Sequence, residues 1–138
     1  MKSIIVFLAF SLLTICHSTS YSQNNATITD TTIYSVVDKY PVLIANNQYY
    51  KIERIREFIQ KNTLYPNNDA DCQGSVIISI IVEKDGTVKK KEFVRKLCPG
   101  FDENAMKVID LMVKWKPGTR NGKTVRTKLN LIVKWKLE

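Results

Sequence analysis

The chain has 138 residues, 44% hydrophobic and 25% charged, with five Gly and four Pro. That length allows one compact domain plus a short extra segment, and that composition excludes wholesale disorder and fibrous repeats. The formal net charge of +8 is uneven: residues 1–83 carry 6 Lys/Arg against 7 Asp/Glu, and residues 84–138 carry 15 against 6.

Met1-Lys2-Ser3 leads into an apolar stretch from Ile4 to Cys16 and then a small, polar stretch ending Ser20-Tyr21-Ser22. A positive start, a short apolar run and small residues at −3 and −1 predict a secretory signal peptide over residues 1–22, cleaved after Ser22. The run is too short to cross about 30 Å of hydrocarbon. Leu13-Thr14-Ile15-Cys16 loosely matches a lipobox, so a lipid anchor at Cys16 is the alternative. Export leaves two cysteines, Cys72 and Cys98, in an oxidising compartment. An exported protein meets little nucleic acid, so the basic half is read as a solvated face or as an anionic-surface binder.

Residues 23–50 are expected as a flexible and extended N-terminal arm, with Gln23 to Thr32 polar and Ile33 to Val42 punctuated by Pro41. Ile52, Ile55, Phe58 and Ile59 share one helical face, and the helix should stop before Tyr65-Pro66. In Gly74–Glu83, Val76, Ile78, Ile80 and Val82 form one fully apolar face, which predicts a central strand. Lys84-Asp85-Gly86-Thr87 is a tight-turn signal. The following strand, Val88 to Leu97, is highly charged, and its alternation breaks across Lys89-Lys90-Lys91, where a bulge is expected. A three-residue loop pairs Glu83 with Thr87, and the same register sets Cys72 opposite Cys98 just beyond the strand ends. That geometry predicts a disulfide enclosing about 27 residues.

Phe101-Asp102-Glu103-Asn104-Ala105-Met106 opens a second helix, with Asp102 as its cap and Pro117-Gly118 ending the element after Trp115. The last strand is the clearest pattern. Val125, Thr127, Leu129, Leu131, Val133, Trp135 and Leu137 alternate with Arg126, Lys128, Asn130, Ile132, Lys134 and Lys136. The tetrapeptide Val-Lys-Trp-Lys occurs at 113–116 and at 133–136, read as one helix end and one strand.

The order helix-strand-strand-helix-strand gives an α+β fold: a three-stranded antiparallel/mixed sheet with two helices on one face. The apolar strand lies in the middle, and the last strand is left at an edge with unpaired backbone groups.

Tyr65-Pro66, Gly74-Ser75-Val76, Lys84-Asp85-Gly86-Thr87-Val88, Phe101-Asp102-Glu103-Asn104-Ala105, Lys114-Trp115-Lys116-Pro117-Gly118 and Gly122-Lys123-Thr124-Val125-Arg126 together resemble the C-terminal domain of TonB-family proteins. The resemblance covers about residues 51–138. It implies a periplasmic, non-catalytic module that grips an extended box segment of an outer-membrane transporter by adding it as a strand. Carried over by position, the docking edge is Arg126, Thr127, Lys128, Leu129, Asn130, Leu131, Ile132 and Val133, with Tyr65 and Pro66 as a second contact region. The Cys72/Cys98 pair is similar to one found in a branch of the family. A full transducer has a membrane anchor and a long Pro-rich spacer, whereas only residues 23–50 precede this domain, so a stand-alone accessory role is expected.

Other partners consistent with the residues are another periplasmic protein, peptidoglycan met by Lys89, Lys90, Lys91, Arg126, Lys128, Lys134 and Lys136, and a second copy paired edge to edge. An enzyme is not expected. The lone His17 lies in the signal peptide, so the mature chain lacks the usual general base. No phosphate or dinucleotide fingerprint and no metal-ligand spacing occur, so no cofactor is expected.

Overall fold

The computed structural model describes residues 31–66 and 72–135. The expected signal peptide and Cys16 lie outside the described residues. In chain order the elements are β1 (Ile33–Tyr34), β2 (Val42–Ala45), β3 (Gln48–Tyr50), a 3-10 turn (Ile52–Arg54), α1 (Ile55–Asn62), β4 (Gly74–Val82), β5 (Val88–Arg95), α2 (Pro99–Asp110), β6 (Lys114–Lys116), β7 (Gly118–Arg120) and β8 (Lys123–Trp135).

The three expected strands form the spine of the main sheet, in the order β8-β4-β5. β4 is central and antiparallel to both neighbours. Its apolar set, Val76, Ile78, Ile80 and Val82, is wholly buried. α1 and α2 cover that face through Ile55, Phe58, Ile59, Phe101, Ala105, Val108 and Ile109. Leu129, Leu131, Val133 and Trp135 of β8 join the same core. Fully burying each such side chain contributes about 1.5–3 kcal/mol, so the alternation along β4 and β8 fixes which face meets the helices.

The hairpin closes as expected. The Glu83 amide donates to the Thr87 carbonyl at 2.8 Å, and Gly86 sits at φ +84. Val82 pairs with Val88, but Ile81 pairs with Lys90, so Lys89 is the extra residue of the bulge. A second register shift falls between Ile77 and Ile78. Cys72 and Cys98 are disulfide-bonded, with Cα atoms 6.6 Å apart.

The second helix differs from expectation at both ends. It begins at Pro99, with Cys98 as the cap residue, and Asp102 lies inside it. Proline suits that first position, where its missing N–H and fixed φ cost nothing. The Asp102 carboxylate instead reaches back to accept the Leu97 amide at 2.7 Å. The helix ends at Asp110, and Lys114–Lys116 is a strand rather than a helix end. Trp115 is buried between exposed Lys114 and Lys116, a period of two. Both Val-Lys-Trp-Lys segments therefore place their Trp on the inner face of a strand.

The sheet also gains members. β1 pairs in parallel with β8, and β7 pairs with the start of β8 across a two-residue turn at Asn121-Gly122. Both turn residues have positive φ, 50 and 73, the backbone that suits a tight hairpin. A second sheet has the order β3-β2-β6. Its β2–β3 turn uses Asn46 and Asn47, again both at positive φ. The arm expected over 23–50 is thus ordered from Ile33 to Tyr50 into a strand and a hairpin laid on the domain.

Candidate functional site

The site starts from β8. Its inner residues are locked in the core, and its outer residues Lys128, Asn130, Ile132 and Lys134 are exposed. On one flank β4 pairs with the strand over Thr127 to Trp135, from Val82↔Thr127 to Gly74↔Trp135. The other flank is divided. β1 covers Arg126 and Thr127, while β7 pairs with Lys123 to Val125 before β4 begins. From Lys128 to Trp135 no described strand pairs on that side. This corrects the expected edge of Arg126 to Val133: its first two residues carry β1, and the open stretch extends two residues further, through Lys134 and Trp135.

The covered end is held by a specific side chain. Arg126 donates from Nε and Nη2 to the two carboxylate oxygens of Glu83, at 2.8 and 2.7 Å. Its Nη1 donates to the Thr31 carbonyl at 2.7 Å. A forked guanidinium is suited to this bidentate geometry. The Arg120 guanidinium lies 4.8 Å from the centre of the Tyr34 ring. The Asp38 carboxylate accepts the Asn121 amide at 2.7 Å, and Lys39 and Thr119 exchange backbone bonds. Arg126, expected to face a visiting peptide, instead fastens the chain's own arm to the β4–β5 hairpin.

The open end borders a cleft of about 380 Å³, lined by Arg56, Ile59, Gln60, Thr63, Tyr65, Ile132, Lys134 and Trp135. Both sequence-predicted regions meet there, since Tyr65 and Ile132 share its wall. Tyr65 stands edge-on to Phe101 at 6.2 Å, and Phe101 stands edge-on to Trp135 at 5.2 Å. The Leu64 carbonyl accepts from Asn104 at 3.1 Å and from the Trp135 indole at 3.4 Å. These contacts fix the Tyr65 corner against α2 and the end of β8, while Tyr65 remains 49% exposed. Pro66 is not among the lining residues. Leu129, Leu131 and Val133 hold their side chains in the core.

The helix side of the cleft was not anticipated. Arg56 and Gln60 stand one turn apart on the wet face of α1, which an amphipathic pattern marks only as solvent-facing. Nearby, Arg54 and Glu57 pair at 2.9 Å. Their mutual hydrogen bond raises the guanidinium's pKa and lowers that of the carboxyl. Arg56 has no described ion-pair partner. No cluster of three or more metal-ligating side chains occurs among the described residues. The arrangement can therefore accept an extended backbone along β8 and place alternate side chains against cations and apolar surface.

The family model described as Gram-negative bacterial TonB protein C-terminal matches residues 61–137, more than half of the chain. The chain belongs to the TonB C-terminal family. Among solved structures it is similar to the NMR solution structure of the Helicobacter pylori TonB C-terminal domain, at 19% identity and a TM-score of 0.45, over 63% of this chain and 82% of that one. No curated protein matches. The matched residues include the Tyr65 corner, the β4–β5 hairpin, α2 and β8. The arm that carries β1, β2 and β3 precedes them, so β1, which covers Arg126 and Thr127, lies outside the family match. No described helix is long and apolar enough to cross a membrane.

Proposed function

We propose that this TonB C-terminal unit is a non-catalytic periplasmic module, accessory to TonB-dependent transport. It takes an extended segment of an outer-membrane transporter as an added strand beside Lys128–Trp135, with the Tyr65 corner as the second contact. One observation carries the reading: the outer flank of β8 has no described strand from Lys128 onward and opens into the cleft shared with Tyr65. An open strand edge is a template for main-chain pairing. The stretch is about 27 Å long at ~3.4 Å per residue, room for a peptide of roughly eight residues.

Ordering such a peptide costs about 1–2 kcal/mol per residue in backbone freedom. That cost matches or exceeds the main-chain bonding, at about 0.5–1.5 kcal/mol net per bond, so side-chain contacts must supply the surplus. Binding is therefore modest, and side chains decide which peptide wins. The test is titration of isotope-labelled protein with peptides from the segments that precede transporter plugs. Chemical-shift changes are expected at Lys128 to Trp135 and at Tyr65. N-methylation of one alternate set of peptide amides abolishes binding, and methylation of the other set spares it. Equal tolerance of both sets overturns strand addition.

A further inference from the structure

The outer face of the open stretch carries Lys128, Asn130, Ile132 and Lys134 at alternate positions, all exposed. On the β4 flank their neighbours are Ile81, Ser79, Ile77 and Ser75, none of them charged. Two carboxylates do lie on this face of the sheet, but both are engaged. Glu83 is held by Arg126 at 2.7 Å and Glu92 by Lys90 at 2.9 Å. Neither Lys128 nor Lys134 has a described ion-pair partner. Beyond Lys134, Arg56 adds a second cation to the cleft wall. The position of an added strand is therefore where these charges meet their complement.

Resting on the strand-addition reading, we infer that the incoming segment is acidic on one face, with two carboxylates six residues apart that sit opposite Lys128 and Lys134. Directly opposed residues on adjacent strands have Cβ atoms about 4.5–5.5 Å apart, close enough for ion pairing. Residues on one face of a strand recur every second position. The complement of Lys-Asn-Ile-Lys is thus acidic, polar, apolar, acidic at positions one, three, five and seven. The acidic ends stay matched whichever way the strand runs. Ile132, 42% exposed, supplies the apolar contact between them.

The experiment uses the full mature chain and capped heptapeptides of Thr and Val whose first and seventh residues are both Glu, both Gln or both Lys. A fourth peptide carries Glu at positions one and four, on opposite faces. Two opposed pairs predict that the one-and-seven Glu peptide binds about two- to thirtyfold more tightly than the Gln peptide at low salt. The Lys peptide binds most weakly, and the one-and-four peptide falls below the one-and-seven peptide. The preference fades near 1 M salt, where screening acts over ~3 Å. In the Lys128→Glu/Lys134→Glu double variant the order of the Glu and Lys peptides inverts. Equal affinity for the Glu, Gln and Lys peptides, or a Glu preference that survives in the double variant, overturns the acidic match and leaves strand addition standing. Failure of all the peptides to bind at millimolar concentration overturns strand addition and this inference together.

Discussion

The two halves of β8 share a sheet and an inner face, yet they differ in the backbone beside them. In the first half, β7 pairs with Lys123 to Val125, β1 covers the outer flank at Arg126 and Thr127, and Arg126 ties hairpin to arm. In the second half, Lys128 to Trp135 keeps its place through the core and the aromatic contacts around Phe101, with the flank left open. A strand therefore need not be paired on both sides to be fixed. Burial of alternate side chains holds its position, and flanking backbone decides only whether it can accept a guest.

Four changes test that division. Trp135→Ala removes the anchor of the open half, and its packing against Phe101 predicts a loss of about 3–5 kcal/mol in chemical denaturation. Hydrogen exchange should rise first at Leu131 to Val133, with Val125 to Thr127 still protected. Replacing Cys72 and Cys98 together by Ser should cost roughly 3 kcal/mol, because the bridge spans a sequence separation of 26 beside the open end. Addition of a reductant should reproduce that loss in the native chain.

Arg126→Ala addresses the covered half. It leaves Glu83, whose side chain is only 12% exposed, without its cation, at a cost of about 1–3 kcal/mol. Faster exchange at Ile33 and Tyr34, with peptide binding at Lys128 to Trp135 retained, is the expected pattern. Loss of peptide binding in a folded variant would show that the halves are not separate. The smallest effect belongs to Asp85→Asn in the hairpin loop near the covered end. The Thr87 hydroxyl, and then the Thr87 amide, hold the Asp85 carboxyl below its usual range. A lowered folded value adds stability above the unfolded value near 3.9, and that stability is lost as pH falls through the folded value. Melting curves of the two chains should therefore differ at neutral pH and converge in acid.

Much of the spine was readable from residues alone. β4, the hairpin loop, the bulge at Lys89 and β8 were legible because period-two burial and turn chemistry are local signals. The Cys72–Cys98 bridge is present, but not by the expected count: two register shifts carry the pairing from Val82↔Val88 to Ile77↔Arg95, so the loose ends beyond the strands bring the cysteines together. β6 was misread as a helix end because a three-residue strand has too little length to show its period. Asn46-Asn47 between Val42–Ala45 and Gln48–Tyr50 carries a hairpin signal, but the two flanking strands are only four and three residues long, too short to show a period. The pairing of β1 with Arg126 and Thr127 bridges more than ninety residues, and two residues hold no pattern that would announce it. Part of the site shared this limit: Arg56 and Gln60 become a cleft wall only once α1 lies beside the end of β8.

Main-chain pairing by itself cannot distinguish one alignment from another shifted by two residues, since every such slip restores the same bonds and the same faces. Tyr34 changes that for a guest at this rim. The arm leaves β8 after Thr127, so any newcomer that slides toward the start of the strand runs into it and forfeits contacts at its leading end. Two residues of the chain's own backbone would thus act as a doorstop for a strand added at this rim, and set where it begins.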